Sequence, residues 1–256
     1  MTVHLVGVGP GHADLMTLRA VRLLGRADAV VLDRLIGDDV ADFIAPSAER
    51  YEVGKQVGGG PGQDEINNLL IDLGRRLDVV VRVKGGDPFV FGRGAEEADA
   101  LAAAGITVEI TPGITSAVAG PASAGISVTR RAAASGFCVV TAHQDERSTP
   151  VDWSALARSG LTVVVLMGAR RAARIAAALM AGGLAPDTPA AVVTDAARPT
   201  QRTWRGRLDE LGVTPVASPS VLVIGRVADG DLAAGAVDTP AGGVRLRPPT
   251  APLATG

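Results

Sequence analysis

Cysteine is almost missing from this chain: 256 residues contain one, Cys138. A lone cysteine closes no internal disulfide and builds no thiolate metal cluster, and its setting in Phe137-Cys138-Val139-Val140 reads as a buried structural thiol. Histidine is as thin, with His4, His12 and His143 scattered without ligand spacing, so no metal site is expected. Aromatic residues make up 3% of the chain, too few for the stacking platforms that bind single-stranded nucleic acid. Neither charge sign dominates: 25 Lys and Arg meet 27 Asp and Glu, a formal net charge of -2 that argues against nucleic acid as a partner. Any cationic site must be local. Long apolar runs are lacking too. Mean hydropathy is +0.26, yet stretches such as Leu161 to Met167 fall far short of the roughly 20 residues that cross a bilayer. The start, Met1-Thr2-Val3-His4-Leu5-Val6-Gly7, has neither the cationic region nor the long apolar segment of a signal peptide, so the expectation is a cytoplasmic protein with no membrane partner.

What is present is core-forming residues and glycine. Hydrophobic residues are 47% of the chain, enough for one large domain or two modest ones, and the 32 glycines cluster after apolar runs. Buried strands are expected at Val3–Val8, Ala29–Leu32, Val79–Val83, Val108–Ile110, Phe137–Val140, Thr162–Met167, Ala190–Val193 and Ser220–Ile224. Several of these runs are continuous rather than alternating, as a sheet covered on both faces requires. Between the earlier ones, Ile66, Leu69, Leu70 and Leu73 recur at helical spacing behind Gln63-Asp64-Glu65, and Arg93 to Ala104 is rich in Ala, Glu and Leu. The fold class is therefore α/β. A boundary is expected between Pro112 and Ala124, giving domains 1–116 and 117–228, with 229–256 a mobile Ala-, Gly- and Pro-rich tail.

Four loops could carry chemistry. Gly7-Val8-Gly9-Pro10-Gly11 follows the first strand, ahead of a helix expected near Asp14, and lets a ligand approach bare backbone. A dinucleotide reading of it fails at His12, where a third glycine belongs, and at Pro10, which removes a donor. Lys84-Gly85-Gly86-Asp87-Pro88-Phe89-Val90-Phe91-Gly92-Arg93-Gly94 joins paired glycines to a carboxylate and an apolar wall. Arg93 and Glu96 then share a helix face, either as a functional pair or as a surface ion pair. Asp33-Arg34-Leu35 and Val53-Gly54-Lys55 place a carboxylate and an ammonium at neighbouring strand ends, fit for a general base and acid or for a structural ion pair. In Thr111-Pro112-Gly113-Ile114-Thr115-Ser116 the hydroxyls could hold a polar cofactor or cap a helix. Gly58-Gly59-Gly60-Pro61-Gly62 lacks the Lys-Ser/Thr of a P-loop, and no G-x-S-x-G elbow occurs.

Taken in order, these loops resemble those of the tetrapyrrole methylases. Gln63-Asp64-Glu65-Ile66-Asn67, Phe91-Gly92-Arg93-Gly94-Ala95-Glu96-Glu97, Pro121 with Ala124-Gly125-Ile126, and Leu166-Met167-Gly168 extend the match from about Val3 to Val227. The resemblance implies two α/β domains, with S-adenosylmethionine bound in the cleft between them, in a homodimer. It implies cofactor contacts at Pro10, Gly85, Gly86, Asp87, Val90, Thr115, Ser116, Met167 and Ala196. It places a base at Asp33, an acid at Lys55, and tetrapyrrole contacts at Arg93 and Glu96. The implied reaction is transfer of two methyl groups to uroporphyrinogen III, giving precorrin-2 and two S-adenosylhomocysteines in siroheme or cobalamin synthesis. Arg34, Lys55, Arg93, Arg130 and Arg131 are candidates to meet the substrate's carboxylates. His12, Gln56, Ala95 and Ala142 depart from the family pattern and leave the cofactor loops intact. A methylase of a later precorrin and a non-catalytic binding module are the alternatives.

Overall fold

The computed structural model describes residues 1–54, 62–143, 149–229, 236–238 and 244–246. The chain divides into two compact units, Met1–Thr115 and Ser116–Gly256. In the first, strands β1 (Thr2–Gly7), β2 (Ala29–Leu32), β3 (Glu49–Glu52), β4 (Val79–Lys84) and β5 (Thr107–Thr111) form one parallel sheet in the order β3-β2-β4-β1-β5. Helices α1 (Leu18–Leu24), α2 (Gln63–Arg76) and α3 (Gly94–Ala103) connect them.

The continuous apolar strands have the cause anticipated from sequence. Val6, Val30, Val81 and Val83 pack with Leu23 and Leu24 of α1, whereas Val3, Leu5, Val31 and Val80 pack with Leu70 and Leu73 of α2 and Leu101 of α3. Successive residues of one strand thus enter cores on opposite faces of the sheet. The helix expected near Asp14 is a short 3-10 turn, Ala13–Leu15, and α1 starts only at Leu18, where Thr17 Oγ1 accepts from the Ala20 amide at 3.1 Å.

The second unit holds α4 (Ser116–Ser123), β6 (Phe137–Thr141), α5 (Trp153–Arg158), β7 (Thr162–Leu166), α6 (Ala172–Ala181), β8 (Pro189–Thr194), β9 (Arg202–Arg207), α7 (Leu208–Leu211) and β10 (Ser220–Ile224). Its sheet, ordered β6-β7-β10-β8-β9, is mixed: β6 and β7 run parallel, and β10 runs antiparallel to both of its neighbours. Val163, Val165, Val192, Leu222 and Ile224 pack there with Ile175, Leu179, Leu208 and Leu211. Cys138 is half-buried, and burial pushes its thiol pKa up. Beyond it, β11 (Ala236–Asp238) and β12 (Val244–Leu246) pair antiparallel inside the stretch expected to be a tail. The remainder of that stretch from residue 230 onward lies outside the described residues.

Candidate functional site

In the first unit α1 packs on one face of the sheet and α3 on the other. The connections leaving β1 and β4, which are neighbours, therefore depart to opposite faces. That is a topological switch point, the place where open α/β sheets bind ligands beyond the carboxyl ends of their strands. The two glycine loops singled out from sequence meet there. The Gly86 amide donates to the Gly9 carbonyl at 2.7 Å, the Gly9 amide returns a bond to the Gly86 carbonyl at 3.2 Å, and the Val8 amide reaches the Lys84 carbonyl at 3.0 Å. The loop after β5 joins them. A Cβ on Gly7 would stand 2.6 Å from both the Gly113 nitrogen and the Gly86 carbonyl oxygen, and one on Gly113 would collide with the same carbonyl. Three backbones meet closer than any side chain permits.

Asp87 ties this junction. Its Oδ1 accepts from the Phe89 amide at 2.8 Å and its Oδ2 from the Gly113 amide at 3.1 Å, so one carboxylate orders its own loop and clamps it to the loop after β5. Gly85 differs from Gly7 and Gly113. It is exposed, and a Cβ there would meet nothing nearer than the Leu35 carbonyl oxygen at 3.5 Å. The protein by itself does not require glycine at that position, so its bare backbone is accessible to a ligand. Pro10 and Val90 are half-buried beside these turns. Arg93 opens α3 with a positive φ of 58° and makes a paired contact with Glu96, Nε to Oε1 at 2.9 Å and Nη2 to Oε2 at 2.6 Å, with both side chains about half exposed.

Asp33 stands at the end of β2, and its partner is one the sequence reading did not find. Arg82 Nη2 donates to Asp33 Oδ1 at 2.6 Å, while Arg82 Nε donates to Glu97 Oε1 at 3.1 Å. Lys84 Nζ donates to both Glu97 oxygens at 3.0 Å. Arg82, Lys84 and Glu97 are 2%, 3% and 0% exposed, against 33% for the Asp33 side chain, so a buried chain of charge ends in one accessible carboxylate. Burial and the Arg82 charge push the Lys84 pKa down, against the pull of Glu97 and Asp33. The signal available in sequence was a charge interrupting the apolar run Val79-Val80-Val81-Arg82-Val83. Gly54 packs on the Asp33-Arg34 turn, since a Cβ there would lie 2.6 Å from the Arg34 amide nitrogen. Lys55, the expected acid, and Gln56 lie outside the described residues.

Thr115 closes the first unit and Ser116 opens both the second unit and α4. In the second unit Met167 follows β7 with a φ of 56° and is 51% exposed. Ala196 is buried in the turn after β8 between Asp195 and Ala197, which both have positive φ. That turn is held by the Asp195 amide on the Pro219 carbonyl at 3.1 Å and by the Ala197 amide on Gln201 Oε1 at 2.7 Å. Arg130 and Arg131 line an open groove with Pro189, Arg226 and Asp229.

Residues 2–212 match the family model described as Tetrapyrrole (Corrin/Porphyrin) Methylases. A Pseudomonas aeruginosa protein named uroporphyrinogen-III C-methyltransferase is 46% identical over 230 residues, covering 88% of this chain and 93% of the relative. The crystal structure of uroporphyrin-III C-methyl transferase from Thermus thermophilus complexed with S-adenyl homocysteine superposes with a TM-score of 0.79 at 39% identity, over 90% of this chain and 99% of that one. A siroheme synthase of Chromobacterium violaceum is 45% identical over 232 residues, 89% of this chain, but the chain spans only 49% of that relative's length. Glycine loops at a switch point, an accessible carboxylate braced by buried charge, and likeness along most of the sequence agree in placing this chain in the tetrapyrrole methylase family.

Proposed function

We propose that this chain is a uroporphyrinogen-III C-methyltransferase. It moves two methyl groups from S-adenosylmethionine to ring carbons of uroporphyrinogen III and yields precorrin-2 and two S-adenosylhomocysteines, on the way to siroheme or cobalamin. The observation that carries the reading is the near full-length likeness to the Pseudomonas aeruginosa protein of that name. The site fits the cofactor, because Gly85 bares backbone that the fold itself does not need bare, next to a carboxylate with lone pairs beyond the two it uses.

When bound, S-adenosylmethionine supplies an electrophilic methyl on a sulfonium; the reduced macrocycle is a carbon nucleophile, and the protein's task is chiefly alignment. We assign cofactor contacts to Pro10, Gly85, Gly86, Asp87, Val90, Thr115, Ser116, Met167 and Ala196. A proton leaves the macrocycle as each methyl arrives, and Asp33 receives it. Its Oδ1 is held by Arg82, and its Oδ2 accepts no hydrogen bond from the described residues. Lys55 is assigned as the acid. Arg93 and Glu96, a half-exposed pair, hold the tetrapyrrole, whose carboxylates compete with Glu96 for the guanidinium. A cytoplasmic homodimer, organised as domains 1–116 and 117–228, completes the reading; sedimentation of the purified protein tests the dimer.

The deciding experiment is anaerobic incubation of the purified protein with uroporphyrinogen III and S-adenosylmethionine, read by mass spectrometry. Two methyl groups gained and two S-adenosylhomocysteines formed per macrocycle are expected. No transfer, with S-adenosylmethionine still bound, would move the substrate to a later precorrin or make the chain a binding module.

A further inference from the structure

We propose that Glu97 is a positioning residue for the Asp33 carboxylate, acting through the Arg82 guanidinium. The inference rests on the reading of Asp33 as the base. Asp33 lies just past the end of β2 on a partly exposed turn, where a free carboxylate would sample several rotamers. Arg82 removes that freedom. Its Nη1 donates to the Val31 carbonyl at 3.3 Å and the Val83 carbonyl at 3.2 Å, its Nε to Glu97, and its Nη2 to Asp33. A planar fork engaged on three sides has one orientation, and its remaining edge sets where Oδ1 sits.

The orientation depends on Glu97. That carboxylate is fully buried on α3 and is fixed by Lys84 on both oxygens, with Gln63 Nε2 adding a bond to Oε1 at 3.3 Å. Arg82 and Lys84 supply two cationic groups and Asp33 and Glu97 two carboxylates, so the charges of the cluster match in number. Apolar side chains of similar volume would serve stability at least as well, because desolvating ions is costly. What the ionic chain adds is a rigid path from α3 through β4 to the one accessible carboxylate.

The test is a double-mutant cycle of Glu97→Gln and Asp33→Asn in the full chain. Single-turnover methyl transfer, the KM for uroporphyrinogen III and calorimetric binding of S-adenosylmethionine are measured for each variant. Gln is isosteric but uncharged: with its oxygen at the Oε1 position, where Arg82, Lys84 and Gln63 all donate, its NH2 replaces the Oε2 acceptor and faces the Lys84 ammonium, and the ionic hold on the guanidinium is gone. Glu97→Gln should lower turnover about tenfold or more while KM and cofactor affinity stay within about twofold, since the lost alignment matters at the transition state. In the Asp33→Asn background it should change the residual rate by less than about twofold, because Glu97 acts only through Asp33. Arg82→Lys, whose ammonium cannot span both carboxylates, should reproduce the turnover loss and remains informative if Glu97→Gln folds poorly. An Arg82 Nε–H signal protected from exchange in the 15N spectrum of the wild type and exchanging about tenfold faster or more in Glu97→Gln, where the acceptor is no longer charged, gives a readout apart from activity. Wild-type turnover in folded Glu97→Gln, or the same rate loss with and without Asp33, overturns the proposal. Wild-type turnover in Asp33→Asn instead overturns the base reading beneath it.

Discussion

Replacing Asp87 separates what the loop junction does for itself from what it does for a ligand. The carboxylate accepts from the Phe89 amide at 2.8 Å and the Gly113 amide at 3.1 Å, one on each oxygen. Asn has one acceptor and one donor. Whichever way its amide turns, one backbone N–H faces an NH2 group, so Asp87→Asn keeps at most one of the two bonds and Asp87→Ala keeps neither. A hydrogen bond to an ionised acceptor contributes about 1.5–3 kcal/mol. Phe89 is exposed and water replaces much of its share, whereas the Gly113 amide is hemmed in by Gly7 and Gly86. The expected local destabilisation is about 2 kcal/mol for Asp87→Ala and about 1 kcal/mol for Asp87→Asn.

Amide hydrogen exchange reads this at the affected groups. A loss of 2 kcal/mol corresponds to about 30-fold faster exchange at Gly113 in Asp87→Ala, since each 1.4 kcal/mol is tenfold. Strand-centre amides such as Val81 should stay within about twofold of wild type, because the sheet does not depend on this clamp. Calorimetric titration of the same variants should show S-adenosylmethionine affinity falling about tenfold or more in Asp87→Ala, with Asp87→Asn between it and wild type. Gly113 exchange within twofold of wild type in Asp87→Ala would refute the clamp, and unchanged cofactor affinity would refute the ligand role.

Two further predictions concern the first unit. Glu49 on β3 accepts from Arg76 and Tyr51, and those hydrogen bonds, opposed by a little desolvation and aided by the Arg76 charge, hold its pKa down to about 2 from the model-peptide value of 4.5. A carboxylate with a depressed folded pKa stabilises above its unfolded pKa and loses that contribution as pH falls. Thermal unfolding should therefore show wild type above Glu49→Gln at neutral pH, with the gap closing from about pH 4.5 and gone near pH 2; a constant gap would refute the link. Leu101 is 0% exposed on the face of α3 that packs against the sheet, and Leu101→Ala should cost about 2–5 kcal/mol in denaturant unfolding. A loss below about 1 kcal/mol would mean that the site collapses around the cavity or that α3 is not anchored there.

The elements legible in the sequence are those whose burial is uniform. Val3–Val8, Ala29–Leu32, Val79–Val83 and Ser220–Ile224 read as strands because both faces of their sheets are covered, so apolar residues dominate each run even where His4 or Arg82 stands within it. Glu49–Glu52 and Arg202–Arg207 did not, because each is an edge strand with one neighbour and largely solvated side chains, and charge there guards an open edge. The glycine loops were legible as places of bare backbone, but their mutual contact was not: a Gly7, Gly86 and Gly113 junction joins positions 27 to 106 residues apart, and no local spacing encodes it. Asp33 was found as a strand-end carboxylate. Its brace was not, since Arg82, Lys84 and Glu97 become partners only once β4 and α3 are packed. A charged residue inside a strand buried on both faces demands a counter-charge in the interior, and Arg82 in β4 is such a residue.

The backbone carries a feature that composition conceals. Six described residues other than glycine have positive φ, and five of them, Phe91, Arg93, Met167, Asp195 and Ala197, lie in loops following β4, β7 and β8. Each such residue costs about 1–3 kcal/mol unless its surroundings over-determine it. The surroundings here do so: the Gly94 amide is tied to the Pro88 carbonyl at 3.0 Å, the Asp195 amide to Pro219, and the Ala197 amide to Gln201. Glycine would occupy these positions without strain, and the chain places it freely elsewhere in the same loops. Keeping Arg93 and Met167 in a conformation that glycine prefers therefore implies that their side chains are needed at those points. Two of the five, Arg93 and Met167, are residues to which the family resemblance assigns tetrapyrrole and cofactor contacts, while Phe91, Asp195 and Ala197 are not, so glycine substitution at Arg93 and Met167 separates backbone strain from side-chain need.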